Sequence, residues 1–171
     1  MKLTIRKATT EDTALINSLA ARIWEPTYGN ILKKEQLDYM FDMMYSEEHI
    51  AEQMTAHGHT YLIAAADGEP CGYISMEQDT SFEGSPKFIF QKIYCLPEMQ
   101  GKGIGKYLVN EGIKHLKKLT GGVPLEIELY VNRGNPAVGF YEHIGFVKTD
   151  TRDHYIGNGY YMNDYIMTLK C

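Results

Sequence analysis

The chain has 171 residues and a formal net charge of -5, with 44% hydrophobic and 23% charged residues, an ordinary balance for one soluble domain able to bury a core. The acidic balance argues against nucleic acid as the main ligand and suits a cationic small molecule. Apolar runs are strand-sized, so no membrane span is expected, and MKLTIRKATTED lacks the apolar core of a secretory signal, which points to the cytoplasm.

Along the chain, KLTIRKA alternates and predicts a first strand. Thr9 with Asp12 resembles a capping box, and Leu15, Ile16, Leu19 and Ile23 then form a helical stripe that Pro26 is expected to end. Residues 34 to 57 predict helix in two pieces, with Ser46 as a fresh N-cap. His57-Gly58-His59 has no third ligand at metal spacing and reads as loop, so no metal is expected. TYLIAAA and CGYISME predict strands joined by the turn DGEP, and SFEGSP predicts a loop. KFIFQKIYCL reads as a strand and GIGKYLVNEGIKHLKKL as an amphipathic helix, with Leu108, Ile113 and Leu116 on one side. LEIELYV alternates as another strand. NPAVGFYEHI predicts a short helix with Asn135 as its cap and Pro136 at its first position. Two final strands face each other across GNG, a hairpin signal. Antiparallel strands first and strand-helix-strand-helix afterwards predict a mixed α/β sheet with helices on its faces, in one domain over residues 1–171. Cys71, Cys95 and Cys171 are odd in number and lack metal-ligand spacing, so they read as reduced thiols.

PEMQGKGIGK places Gly101, Gly103 and Gly105 between a strand and a helix. The order G-x-G-x-G is not the dinucleotide fingerprint G-x-G-x-x-G, and the spacing is one residue short of a Walker-type phosphate loop. Bare amides at a helix N-terminus still suit an anion such as a pyrophosphate, and the bland alternative is a tight turn. In NRGNPAVGFYEHIGF, Tyr141 reads either as a proton donor to a leaving thiolate or as an aromatic packed under the sheet.

Together, Gln100-x-x-Gly103-x-Gly105 after a strand and N-P-A-V-G-F-Y-E-H-I-G-F some thirty residues later closely resemble the GNAT superfamily of N-acetyltransferases, over nearly the whole chain. The resemblance implies a central, mostly antiparallel sheet of six or seven strands with a splayed fourth and fifth strand, flanked by about four helices. It also implies acetyl-CoA as co-substrate. By it, Gln100, Gly101, Lys102, Gly103, Ile104, Gly105 and Lys106 hold the pyrophosphate. Ile93, Tyr94 and Cys95 lie on a bulged strand that pairs with the pantetheine arm and polarises the thioester carbonyl. Asn135 contacts that arm, and Tyr141 acts as general acid. Many members carry a glutamate where this chain has Ile89-Phe90-Gln91, so the base is open; Glu126 and Glu128, which share a face of the next strand, are the candidates, and solvated carboxylates the alternative. Cys95 admits a covalent acetyl-cysteine step, but no histidine is fixed beside it, and direct transfer in a ternary complex is expected.

In relatives the acceptor lies between the region after the first helix and the last hairpin. Trp24, Glu25, Tyr28, Tyr160 and Tyr161, with Asp153 and Asp164, supply aromatic faces and carboxylates suited to an ammonium, although helix-end packing and cross-strand pairing explain the same residues. The expected function is N-acetylation of a small primary amine, polyamines first, with no nucleic-acid partner and a homodimer left open. Alternatives are acetylation of a protein N-terminus or lysine, and a non-catalytic acyl-CoA-binding regulatory module.

Overall fold

The computed structural model describes residues 1–81 and 83–171; Phe82, inside the predicted SFEGSP loop, lies outside the described residues. In chain order the elements are β1 (Leu3–Lys7), a 3-10 turn (Thr10–Asp12), α1 (Thr13–Tyr28), α2 (Lys34–Tyr45), α3 (Glu47–Thr55), β2 (Thr60–Ala66) and β3 (Glu69–Gln78). Then follow β4 (Lys87–Cys95), a 3-10 turn (Pro97–Met99), α4 (Ile104–Thr120), β5 (Glu126–Asn132), α5 (Ala137–His143), β6 (Val147–Gly157) and β7 (Tyr160–Lys170). The strands form one mixed sheet in the order β1-β2-β3-β4-β5-β7-β6. Every neighbouring pair is antiparallel except β4 and β5. Five α-helices are present among the described residues, against about four implied by the resemblance; the region after α1 is divided at Ser46, as its place in the sequence predicts. Its side chain accepts from the His49 amide and starts α3 afresh. No helix among the described residues is long and apolar enough to cross a membrane.

The helix after the Thr9–Asp12 capping box does not end at Pro26. It runs on to Tyr28. Proline removes one donor, to the Arg22 carbonyl on the exposed side where water can replace it. The Thr27 hydroxyl meanwhile donates to the Ile23 carbonyl at 2.8 Å. The extra turn stacks Tyr28 on Trp24, four residues back, with ring centroids 4.7 Å apart. That contact brings Tyr28 into the core at the edge of the site.

Strand alternation sends neighbouring residues to opposite faces. Tyr73 of β3 donates to the Tyr45 hydroxyl of α2 at 2.8 Å, while Ile74 packs under α4, where Gly112 leaves room for it and for Phe90. In β4 this alternation is broken on purpose. Ser75 pairs with Lys92 and Met76 with Phe90, so Gln91 is an extra, bulged residue. Phe90 therefore lies under α4, whereas Lys92 and Tyr94 turn to the side of α1, α2 and α3. The parallel pairing of β4 with β5 stops at Phe90 and Leu129. Beyond that point each strand follows its other neighbour, and a cleft opens between them. This is the expected splayed pair.

Candidate active site

The glycine loop and the cleft form one continuous surface. A cavity of about 680 Å³ is lined by Gln91, Ile93, Tyr94 and Cys95 of β4, by Gln100, Gly101, Gly103, Ile104, Gly105 and Lys106, and by Asn135, Phe140 and Tyr141. Gly101 and Gly103 have φ of +77° and +82°, and a side chain at either would meet nothing within 4 Å. Glycine is needed there for backbone conformation rather than for space. Gly105 differs: a Cβ would sit 3.1 Å from Phe140, so its smallness lets α5 close against α4. The two sequence motifs thus meet physically. No acidic residue lies in the first turn of α4, and its free amides and dipole favour an anion. Lys102 is exposed and does not line the cavity.

Tyr141 is buried at 7% exposure. Burial pushes its phenol well above the usual range, and Tyr28 and Cys95 add to the rise, so it carries its proton at any working pH. The Cys95 thiol is pushed up to about 11 by burial, with Cys71 and Glu98 contributing. A protonated thiol is a poor nucleophile. Asn135 is held at both ends of its amide: Oδ1 accepts from the Ala137 amide at 2.9 Å, and Nδ2 donates to the Tyr28 hydroxyl at 3.2 Å.

A second, smaller cavity of about 140 Å³ shares Tyr28, Gln91, Tyr94 and Tyr130 with the first. Trp24, Met40, Met44 and Tyr161 give it apolar walls, and Gln53, His59, Lys92, Arg152 and Asp164 give it polar ones. The hairpin of β6 and β7 folds over it. Tyr39 of α2 donates to the Ile156 carbonyl at 2.9 Å, Gln36 donates to the Tyr161 carbonyl at 2.8 Å, and the Tyr39 and Tyr160 rings lie 5.5 Å apart.

Among the residues singled out from sequence for the acceptor, the structure brings Trp24, Tyr28, Tyr161 and Asp164 together in this cavity. Tyr160 instead packs on Tyr39, Glu25 faces solvent, and Asp153 pairs with Arg133 at 2.6 Å on the surface. Glu126 and Glu128 line neither cavity. Glu128 pairs with Lys87 at 3.0 Å and accepts from the Tyr130 hydroxyl at 2.5 Å, while Glu126 borders a separate cleft beside Pro124 and Lys170. Strand alternation gave these two a common face, but both lie where β4 and β5 are still paired, before the cleft opens, and Glu128 reaches it only through the Tyr130 hydroxyl.

Several cavity residues were invisible in the sequence. Lys92 is 6% exposed, and its ammonium donates to Gln53 Oε1 at 2.8 Å, to the Met44 carbonyl at 3.3 Å and to the Tyr61 hydroxyl. Burial pushes it down to about 7. His59, read as loop, reaches the cavity wall with its Nε2 3.3 Å from Glu77. The one available signal was a lysine in the middle of a mostly apolar strand.

Known proteins share this fold. A model of the acetyltransferase (GNAT) domain matches residues 30–169. The spermidine N(1)-acetyltransferase of Thermoplasma acidophilum is 32% identical over 157 residues, covering 88% of this chain and 92% of that protein. Among solved structures, the PaiA N-acetyltransferase of Thermoplasma acidophilum in complex with coenzyme A superposes over 100% of both chains with a TM-score of 0.81 at 29% identity. A GCN5-related N-acetyltransferase from Rhodopseudomonas palustris, 20% identical, shares the fold over 100% of this chain and 97% of its own with a TM-score of 0.76. With the glycine loop, the bulged strand and the parted β4–β5 pair in this order, the chain belongs to the GNAT family of acetyltransferases.

Proposed function

We propose that this protein transfers the acetyl group of acetyl-CoA to a primary amine of a small molecule, with polyamines as the first candidates. The observation that carries the proposal is the pair of cavities sharing the wall of Tyr28 and Tyr94. One is long and begins at bare helix amides. The other is small, partly aromatic and lined by a carboxylate. The first fits a nucleotide-linked diphosphate with an extended thiol arm, and acetyl-CoA supplies the activated acetyl group. Gln100, Gly101, Gly103, Ile104, Gly105 and Lys106 would hold the diphosphate, with Lys102 adding charge from outside. Ile93, Tyr94 and Cys95 offer a strand edge that β5 leaves unpaired, and Asn135 borders the same channel.

Tyr141 would serve as the general acid, a reading supported by its burial and its place in the lining of the larger cavity. The raised Cys95 thiol favours direct transfer over a cysteine-bound acetyl group. The similarity to a spermidine N(1)-acetyltransferase supports a small amine as acceptor. The hairpin latched onto α2 by Tyr39 and Gln36 leaves a small chamber rather than an open groove, which favours a small molecule over a protein chain. A thiol-release assay with acetyl-CoA against polyamines, monoamines and peptides tests this reading. Release with polyamines supports it, release with peptides alone indicates a protein acetyltransferase, and tight binding of coenzyme A without turnover on any amine indicates a regulatory module.

A further inference from the structure

Asp164 is the only carboxylate lining either cavity among the described residues. It lies on β7 opposite Asn132 of β5 and Arg152 of β6, and is 3% exposed. Arg152 Nε donates to Oδ2 at 3.0 Å, while Oδ1 receives no hydrogen bond from any described residue. Arg152 is itself fixed, its guanidinium 3.6 Å from the centre of the Tyr130 ring. Arg133 donates to the Asp164 carbonyl at 3.3 Å and so ties down the backbone. One carboxylate oxygen is thus anchored and the other is free, in a chamber that shares Tyr28 and Tyr94 with the cofactor channel.

We propose that Asp164 removes the proton from the acceptor's ammonium, directly or through one water, and that Arg152 is its positioning residue. This inference rests on the amine-acetyltransferase reading above. An alkylammonium with a pKa near 10 must lose a proton before it can attack, at a cost of roughly 4–5 kcal/mol at pH 7. Asp164 takes that first proton. The amine nitrogen then forms its bond to the acetyl carbonyl carbon and the carbon–sulfur bond breaks. Tyr141 gives its proton to the departing sulfur, and the second proton lost from the nitrogen restores the phenol. Asp164 releases its proton to solvent, so the net reaction yields amide, thiol and one proton.

The titratable groups around Asp164 are Arg152 and His154 of β6, Tyr161 of β7, Arg133 after β5, Tyr130 of β5, Tyr28 of α1, and across the chamber Lys92 and Tyr94 of β4 with His59 before β2. Burial raises its carboxyl above the usual range, and Arg152, Arg133 and His154 pull against that rise. A carboxylate moved toward neutral pH is better matched to a base's task than one at its ordinary value. Glu126 and Glu128 lack this access.

The test compares unaltered protein with Asp164→Asn on two acceptors: 1,4-diaminobutane, which is protonated at pH 7, and an O-alkyl hydroxylamine, whose nitrogen is already free. The expected loss in kcat/KM is about 100-fold or more for the diamine at pH 7. It should shrink to under about 10-fold for the hydroxylamine, and for the diamine at pH 10, because neither then needs a base. Equal losses for both acceptors at every pH would reduce Asp164 to packing or binding and overturn the proposal, as would full activity. Arg152→Gln is the second variant: removing the cation should move the acid limb of the pH–kcat/KM profile upward by about one unit. A limb that stays in place counts against Asp164 even if Asp164→Asn does not fold. Failure of the unaltered protein to acetylate any amine would instead overturn the function on which the proposal stands.

Discussion

The hydroxyls of Tyr28 and Tyr94 lie 2.8 Å apart where the two cavities meet. The pair owns two protons and shares one mutual hydrogen bond. Asn135 adds a donor to Tyr28, and no described residue supplies an acceptor for the second proton. That proton is available to whatever occupies the junction. Tyr94→Phe leaves the Tyr28 proton without the partner that positions it, so kcat should fall about 10-fold while the affinity for coenzyme A stays nearly unchanged, as expected when a donor loses its preorganisation. Initial rates and calorimetry on the same preparation check this; an equal loss of coenzyme A affinity would argue for a packing role.

Tyr141→Phe removes only a hydroxyl. Turnover should fall by about 10²–10³-fold, within the usual contribution of a positioned acid, with coenzyme A binding retained. An unchanged rate at saturating substrate would take Tyr141 out of the chemistry.

Gly72 faces the β4 backbone opposite Cys95, which lines the larger cavity. A Cβ there would sit 2.6 Å from the Tyr94 carbonyl oxygen and 3.2 Å from the Cys95 Cα. Both are main-chain atoms of a paired strand, so Gly72→Ala must push β3 and β4 apart. The expected cost is about 1–3 kcal/mol in chemical denaturation, in line with overpacking. Weaker binding of coenzyme A should accompany it.

Lys92 predicts a pH effect on stability. Its folded pKa of about 7 lies below the usual 10.5 because burial penalises the charge. Between those two values the unfolded chain binds more protons, so this group makes stability rise as pH increases from about 7 toward 10.5. Below pH 7 the charge is present in both states and its burial penalty is felt in full. Lys92→Met carries no such charge. Its melting temperature relative to the unaltered protein should thus be most favourable at pH 6 and should decline toward pH 9. A pH-independent difference would mean that hydrogen bonding to Gln53 and Tyr61, and not the charge, sets the balance.

Much of the architecture is local and could be read along the chain. Alternation marked the strands, Ser46 marked the break between α2 and α3, and GNG marked the last hairpin, where Gly157, Asn158 and Gly159 all have positive φ. These signals depend on neighbours a few residues apart. The glycine loop and the Asn135–Tyr141 segment were legible for the same reason, since amides at a helix start need no distant partner to bind an anion. Pro26 misled because its missing donor falls on the exposed side of α1, and aromatic stacking of Trp24 on Tyr28 outweighs one lost hydrogen bond.

The sequence by itself determined the strand and helix order, the family resemblance and the glycine loop between β4 and α4, all of which are written in short-range spacing. Only the tertiary structure decided which charged side chains share a chamber. The bulge at Gln91 puts Phe90 and Lys92 on opposite faces, and β4 and β5 part only beyond Glu126 and Glu128. The β7 register then brings Asp164 beside Arg152, twelve residues earlier in the chain, and into the chamber that Tyr28 also lines. A one-residue shift in strand register reverses the direction of every side chain beyond it. Composition and local periodicity do not encode that shift; packing of α1, α2 and α3 against the sheet does.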